Sequence, residues 1–182
     1  MPPFERPSNR DKILEAAMNL VRSQGVGKLT LEAAAKEAGV SKGGVLYHFP
    51  SKSALVRAMV TRVIDQWERL QQSYYEVEPE GPYRWMRACV RASFDTDSPC
   101  CNDPVGSALL AGMAHDPDLI EPLRGKYREW MEKSMADAPN PALMGVLGLM
   151  GDGLALHQLI GLEVLSPEQR DCIKNAALDL LK

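Results

Sequence analysis

Between Thr30 and Lys52 the chain starts a helix three times in quick succession, and this punctuation constrains the fold more than any other feature. Thr30 is placed to cap LEAAAKEAG and Ser41 to cap KGGVLYHF; Ser51, after Pro50, is placed to cap a long helix running from Lys52 to about Tyr75. Each hydroxyl can accept a hydrogen bond from a first-turn N–H that has no partner inside its own helix. Gly39 suits the end of the first of these helices, and Pro50 closes the second. A short helix, the turn GVS and another short helix have the spacing of a helix-turn-helix, whose second helix lies in the major groove of DNA.

Gly43 and Gly44 open that second helix at a propensity cost of about 1 kcal/mol each. Bare backbone there lets base edges or phosphates approach, with Tyr47, His48 and Lys52 as donors nearby. Tight packing against another helix of the same chain is the alternative. The net charge of −3 does not suggest a nucleic-acid binder, but it is unevenly spread. Residues 1–60 carry nine Lys or Arg against five Asp or Glu, a net +4, whereas residues 61–182 carry 12 against 19, a net −7. Only the first third has the sign that a phosphate backbone attracts.

The remaining pattern is helical throughout, so the fold class is all-α. Ser8 can cap NRDKILEAAMNLVRSQG, whose Ile13, Ala16, Ala17, Leu20 and Val21 share one face, with Gly25 at its end. After Pro79, Gly81 and Pro82 five further helices are expected: Tyr83 to Ser93, one starting at Asp103 and Pro104, Pro117 to about Met135, a glycine-laced helix reaching Gly161, and Ser166 to Leu181. A chain of 182 residues that is 45% hydrophobic can bury a core as one or two domains. Ala142 to Leu162 is long enough to span a bilayer, but Asp152 at its middle would cost about 2.5–3.5 kcal/mol there. A buried helix in a soluble assembly with no membrane partner is the better reading. The start of the chain lacks the apolar stretch of a secretory signal, and Cys89, Cys100, Cys101 and Cys172 form no CxxC pair. Reduced thiols and a cytoplasmic location are expected.

Residues 9–60, with ILEAAMNLV, the LT before the second helix, the AxxAGVS turn and HFPSKxxL in order, resemble the DNA-binding domain of the TetR family of bacterial regulators. The resemblance implies a homodimer of all-α subunits. Each has an N-terminal three-helix helix-turn-helix head, here residues 1–52, and a helical ligand-binding and dimerisation body, here residues 53–182. It places Thr30, His48 and Lys52 on phosphates, and Lys42, Gly43, Gly44 and Tyr47 on bases or sugar-phosphate edges, with Ser41 at the same DNA-facing start. The chain departs from the family at Leu46, where tyrosine is common; leucine there suits a thymine methyl or the core.

In the family the last two helices form a four-helix dimer interface. Leu147, Gly148, Gly151, Leu154, Ile173, Ala177 and Leu180 are the expected contributors, against the alternative of an ordinary core helix. Trp85, Met86, Cys89, Met113, Tyr127, Trp130 and Met131 offer a deformable apolar surface for a small hydrophobic or aromatic inducer, or simply a core; His115 is a candidate polar handle among them. No cofactor is implied. Adjacent Cys100 and Cys101 suit one tetrahedral metal site poorly, and His115 with Asp116 is only a faint hint of a metal-dependent hydrolase, so no enzyme is expected. The functional expectation is a repressor released from palindromic double-stranded operator DNA by a ligand. A regulator without a ligand, or an activator, is the alternative.

Overall fold

The computed structural model describes residues 8–99, 103–113, 116–136, 138–162 and 164–182. Cys100, Cys101 and His115, and the side chain of Met113, lie outside the described residues. Within them there is no strand. The helices are α1 (Asn9–Gln24), α2 (Leu31–Ala38), α3 (Lys42–His48), α4 (Lys52–Val77), α5 (Arg84–Ser93), α6 (Pro104–Met113), α7 (Glu121–Ala136), α8 (Pro141–Leu159) and α9 (Pro167–Asp179). Hydroxyl caps set many of the starts. Ser8 Oγ accepts from Asp11 N at 3.1 Å, and Ser166 Oγ from Gln169 N at 3.2 Å, with Gln169 accepting from Ser166 N in return. A single helix from Pro117 does not form: a 3-10 turn spans Pro117–Ile120, and α7 begins at Glu121. Pro122 explains this, because a residue without an N–H fits the first turn of a helix and not its second.

Packing divides the chain into two compact units, residues 1–63 with 104–122, and residues 64–103 with 123–182. Leu55, Val56, Met59 and Val60, in the first turns of α4, are buried with the first unit, and the segment 104–122 returns to it.

The first unit is assembled on α1, whose Ile13, Ala17 and Met18 are fully buried and which packs against α2, α3 and α6. Val45 and Phe49 anchor α3 in this core, and Val105 and Leu109 anchor α6. Polar ties reinforce it: Arg62 pairs with Asp11 at 3.1 Å, and Ser53 Oγ donates to Asp116 Oδ2 at 3.2 Å.

In the second unit α5 packs on α8 and α9 through Met86, Val90, Phe94, Met144, Leu147, Leu154, Ala177 and Leu181. The turn into α5 is held by one buried carboxylate. Glu78 Oε1 accepts from Arg87 Nε at 2.8 Å and Oε2 from Arg91 Nε at 2.7 Å. Arg87 also donates to the carbonyls of Pro79 and Pro82, and Arg84 to those of Glu78 and Tyr75. These bonds hold Tyr83 at φ 61, a left-handed conformation that costs a non-glycine residue about 1–2 kcal/mol. Burial alone would raise the Glu78 carboxyl, but the hydrogen bonds from Arg87 and Arg91 outweigh it and keep the pKa below the ordinary carboxylate value.

A lowered folded pKa stabilises the protein above the unfolded value of about 4.3, and this contribution is lost as the pH falls through the folded value. Glu78→Ala is expected to cost about 2–3 kcal/mol at neutral pH, less than a fully buried pair because Arg91 reaches solvent. In thermal melts the gap between the variant and the parent should close as the pH drops below about 4.

Candidate functional site

Three helix starts lie close together in sequence on the first unit. Thr30 Oγ1 accepts from Ala33 N at 3.0 Å, Ser41 Oγ from Gly44 N at 3.1 Å, and Ser51 Oγ from Ala54 N at 3.1 Å. Each hydroxyl is engaged as an acceptor but keeps a proton of its own to donate outward. Gly39 makes the turn between α2 and α3 possible, at φ 66 with its N–H on the carbonyls of Ala35 and Lys36.

On α3, Val45 faces the core, while Lys42, Gly43 and Tyr47 are exposed. Tyr47 stands 84% exposed, with the half-buried His48 ring edge-on to it at 5.0 Å. Leu46 is also exposed, so it is not the core residue that one reading of its position allowed. Lys52, the first residue of α4, is open to solvent. Lys42 Nζ is held by Glu32 Oε1 on α2 at 2.5 Å, and that hydrogen bond lowers the pKa of Glu32. A β-carbon built at Gly43 would meet only Ser41 Oγ, at 3.9 Å. At Gly44 it would meet Ser41 Oγ at 3.4 Å, an ordinary contact. Neighbouring helices of the chain therefore do not require either glycine, which removes the packing alternative. A groove of about 470 Å³ elsewhere on this unit is lined by Asp11, Glu15 and Glu37 as well as Lys12 and Arg62. Its carboxylates make it a poor seat for phosphate.

In the second unit, Trp85 is buried at 5% exposure and meets Tyr75 at 5.6 Å with the rings inclined at 61°. The Lys133 ammonium lies 3.4 Å from the centre of the Trp85 ring and 5.2 Å from that of Tyr75; the Arg84 guanidinium covers Tyr75 at 4.3 Å. Burial lowers the pKa of Lys133 and pushes the Cys89 thiol up to about 12. Trp130 and Met131 are half-buried on α7. Met86 does not belong with Trp85: one position along α5, it faces the core with Val90 and Phe94. The Tyr127 hydroxyl donates to Asp152 of α8, which answers what partners the lone acid of that apolar helix. Burial first, and then this carboxylate, raise Tyr127 to about 12.

Residues 13–59 match the bacterial regulatory proteins of the tetR family, and residues 83–182 match the tetracyclin repressor-like C-terminal domain. The chain belongs to the TetR family. It is 28% identical over 131 residues to the HTH-type transcriptional regulator RutR of Escherichia coli strain K12, covering 71% of this chain and 59% of that one. With TtgR of Pseudomonas putida it shares 35% over 83 residues, 44% of this chain and 40% of the relative. Its fold matches that of the multidrug binding protein EbrR complexed with imidazole at a TM-score of 0.72 and 20% identity, covering 100% of this chain and 94% of that one. A TetR-family member from Streptomyces coelicolor A3 matches at 0.71 and 20%, covering 97% and 99%.

This TetR-family chain uses part of its expected dimer surface within the subunit. Leu147, Leu154 and Ala177 are buried in the core between α5, α8 and α9, and Ile173 packs against it. A β-carbon at Gly151 would come within 3.1 Å of Ser93 Oγ, so that glycine serves the approach of α8 to α5. Gly148 is open, and Leu180 is exposed. The exposed apolar side of α8 is instead Val146, Leu149, Leu156 and Ile160, continued by Leu162 and Val164. Sequence reading also missed Tyr75 and Lys133. Lys133 lies one turn beyond Trp130, a spacing visible in the sequence, but the convergence of α4, α5 and α7 is not.

Ser41→Ala should remove the cap of α3 and cost about 1 kcal/mol, and Gly39→Ala about 1–2 kcal/mol through its left-handed φ. Hydrogen exchange should show the loss of protection from Ser41→Ala concentrated in residues 42–49.

Proposed function

We propose that this chain is a DNA-binding transcriptional regulator, a repressor that leaves a two-fold symmetric operator when a small hydrophobic or aromatic ligand fills its body. The observation that carries the reading is Gly43. It lies exposed at the start of α3, gives up helix propensity, and has only the Ser41 cap, and no other helix, within 4 Å of where a side chain would stand. Close approach of an external backbone accounts for that sacrifice, and the positive charge of residues 1–60 identifies that backbone as nucleic acid.

In this reading α3 enters the major groove, with Lys42, Gly43, Gly44 and Tyr47 against base edges and sugars. Thr30, Ser41, His48 and Lys52 hold phosphates, the two hydroxyls through the proton left by their capping role. Lys42 must exchange Glu32 for DNA, so the free head is held partly in check by its own carboxylate. The exposed stripe Val146, Leu149, Leu156 and Ile160 has steps of three, seven and four along α8 and its C-cap. That spacing suits a helix of a second copy, with Gly153 on the same face allowing a close approach and Leu180 extending the surface. The dimer then presents two recognition helices about 34–36 Å apart. Coupling runs through α4, one unbroken helix whose beginning packs in the first unit and whose end carries Tyr75 in the second. A ligand acts only to the extent that it binds the DNA-fitting and the released arrangements unequally.

The reading is tested by mobility shift on the DNA upstream of the protein's own gene. Lys52→Ala should weaken binding to all duplexes alike and lower the salt slope by about one, whereas Tyr47→Ala should change the preference among operator variants by about 1–3 kcal/mol. Binding that is indifferent to salt and to both substitutions would remove α3 from the groove. Leu149→Glu should convert the dimer into monomers in light scattering and abolish the high-affinity shift.

A further inference from the structure

The body contains buried polar groups on α4, α5 and α7 that find no partner within the described residues. Among the described residues, Nε1 of Trp85 and Nε1 of Trp130 are buried without an acceptor, and Oε1 of Gln71 is buried without a donor. A buried indole N–H ordinarily has a partner. Helical spacing puts Gln71 and Trp130 on the same helix faces as Tyr75 and Lys133, the members of the observed contact with Trp85. Gln71 and Tyr75 are one turn apart on α4, as are Trp130 and Lys133 on α7, and the Lys133 ammonium touches both Trp85 and Tyr75.

Four carboxylates of the body are already committed. Lys126 bridges Glu68 and Glu129, each at 2.9 Å; Tyr127 holds Asp152; Arg87 and Arg91 hold Glu78. Lys133 forms no ion pair among the described residues and rests on ring faces, where burial lowers its pKa. The surplus is therefore of donors: one ammonium and two indole N–H groups, beside flat aromatic surface. Lys133 is itself exposed, so the cluster has an opening to solvent.

We propose that this cluster binds an organic anion, a flat aromatic acid whose carboxylate pairs with Lys133 and accepts from the indole N–H groups while its ring packs beside the Trp85–Tyr75 pair, whose faces the two cations already cover. The proposal rests on the reading of the body as the effector-binding part and names the chemistry of that effector. A cationic ligand is disfavoured by the same residues. It would meet two like charges there, the Lys133 ammonium and the Arg84 guanidinium, with no described carboxylate paired to Lys133.

The test uses the full chain and three compounds with one ring system: naphthoate, naphthamide and naphthylmethylamine, an anion, a neutral molecule and a cation. Calorimetry should find naphthoate bound roughly tenfold or more tightly than either of the others, the size expected of a charge-assisted hydrogen bond. Tryptophan emission should change on binding. Lys133→Met should erase the advantage of naphthoate, and Lys133→Arg, which keeps the cation, should retain it. Equal binding of all three, preference for the amine, or no binding of any would overturn the proposal, and so would an advantage that survives Lys133→Met. Operator affinity, measured with each compound, separates this idea from the one beneath it. Naphthoate that binds selectively without changing DNA affinity supports the anion site and removes ligand control. An amine that binds and releases DNA removes the anion site and leaves the regulator intact.

Discussion

The apolar face of α1 is the surface on which the first unit is built. Ile13, Ala17 and Met18 lose all contact with water there, and α2, α3 and α6 each pack against that helix. Fully burying a large aliphatic side chain is worth about 1.5–3 kcal/mol, so this face outweighs the weak propensity of a seven-residue α3 with two glycines. Helix α3 is held by Val45 and Phe49 on one side, which leaves its other side free to be chosen for chemistry rather than for packing. The exposure of Tyr47 and of Gly43 is a consequence of that division.

A second constraint governs the body, where each buried or central acid has a specific partner. Glu78 is bracketed by two arginines that also gather the carbonyls of the turn before α5, and Asp152 receives the Tyr127 hydroxyl. The buried Glu78 would cost several kcal/mol without its partners, so that pairing sets the register of α4 against α5, whereas Asp152 is exposed and its bond to Tyr127 is a weaker tie of α7 to α8. Beside those paired acids, the Trp85 indole N–H is left without an acceptor and the Lys133 ammonium without an ion pair among the described residues.

The glycines of α8 show how one residue type serves two ends. Gly151 faces Ser93 so closely that a methyl group would crowd it, whereas Gly148 and Gly153 face open space. Regular spacing in the sequence does not separate these cases, since the glycines sit on one continuous helix. The same holds for its leucines: Leu147 and Leu154 turn inward, and Leu149 and Leu156, two positions later in each case, turn outward.

Local chemistry was enough to place nearly every helix start and several ends, because a hydroxyl, a proline or a glycine acts on backbone within a few residues of itself. Thr30, Ser41, Ser51 and Ser166 cap the helices they precede, and Gly39 turns the chain between α2 and α3 for reasons present in the residue itself. Residues 9–60 also carried the family resemblance, since those caps and turns lie at fixed intervals. What required the folded molecule was the identity of the faces that meet. The segment 104–122 joins the first unit although it lies far along the chain, Met86 leaves the side of Trp85, and Lys133 joins it. An amphipathic stripe states that a face will be covered, but burial is non-directional and any apolar surface of matching shape can cover it. Which one does so is settled only when all the helices compete for the same partners at once.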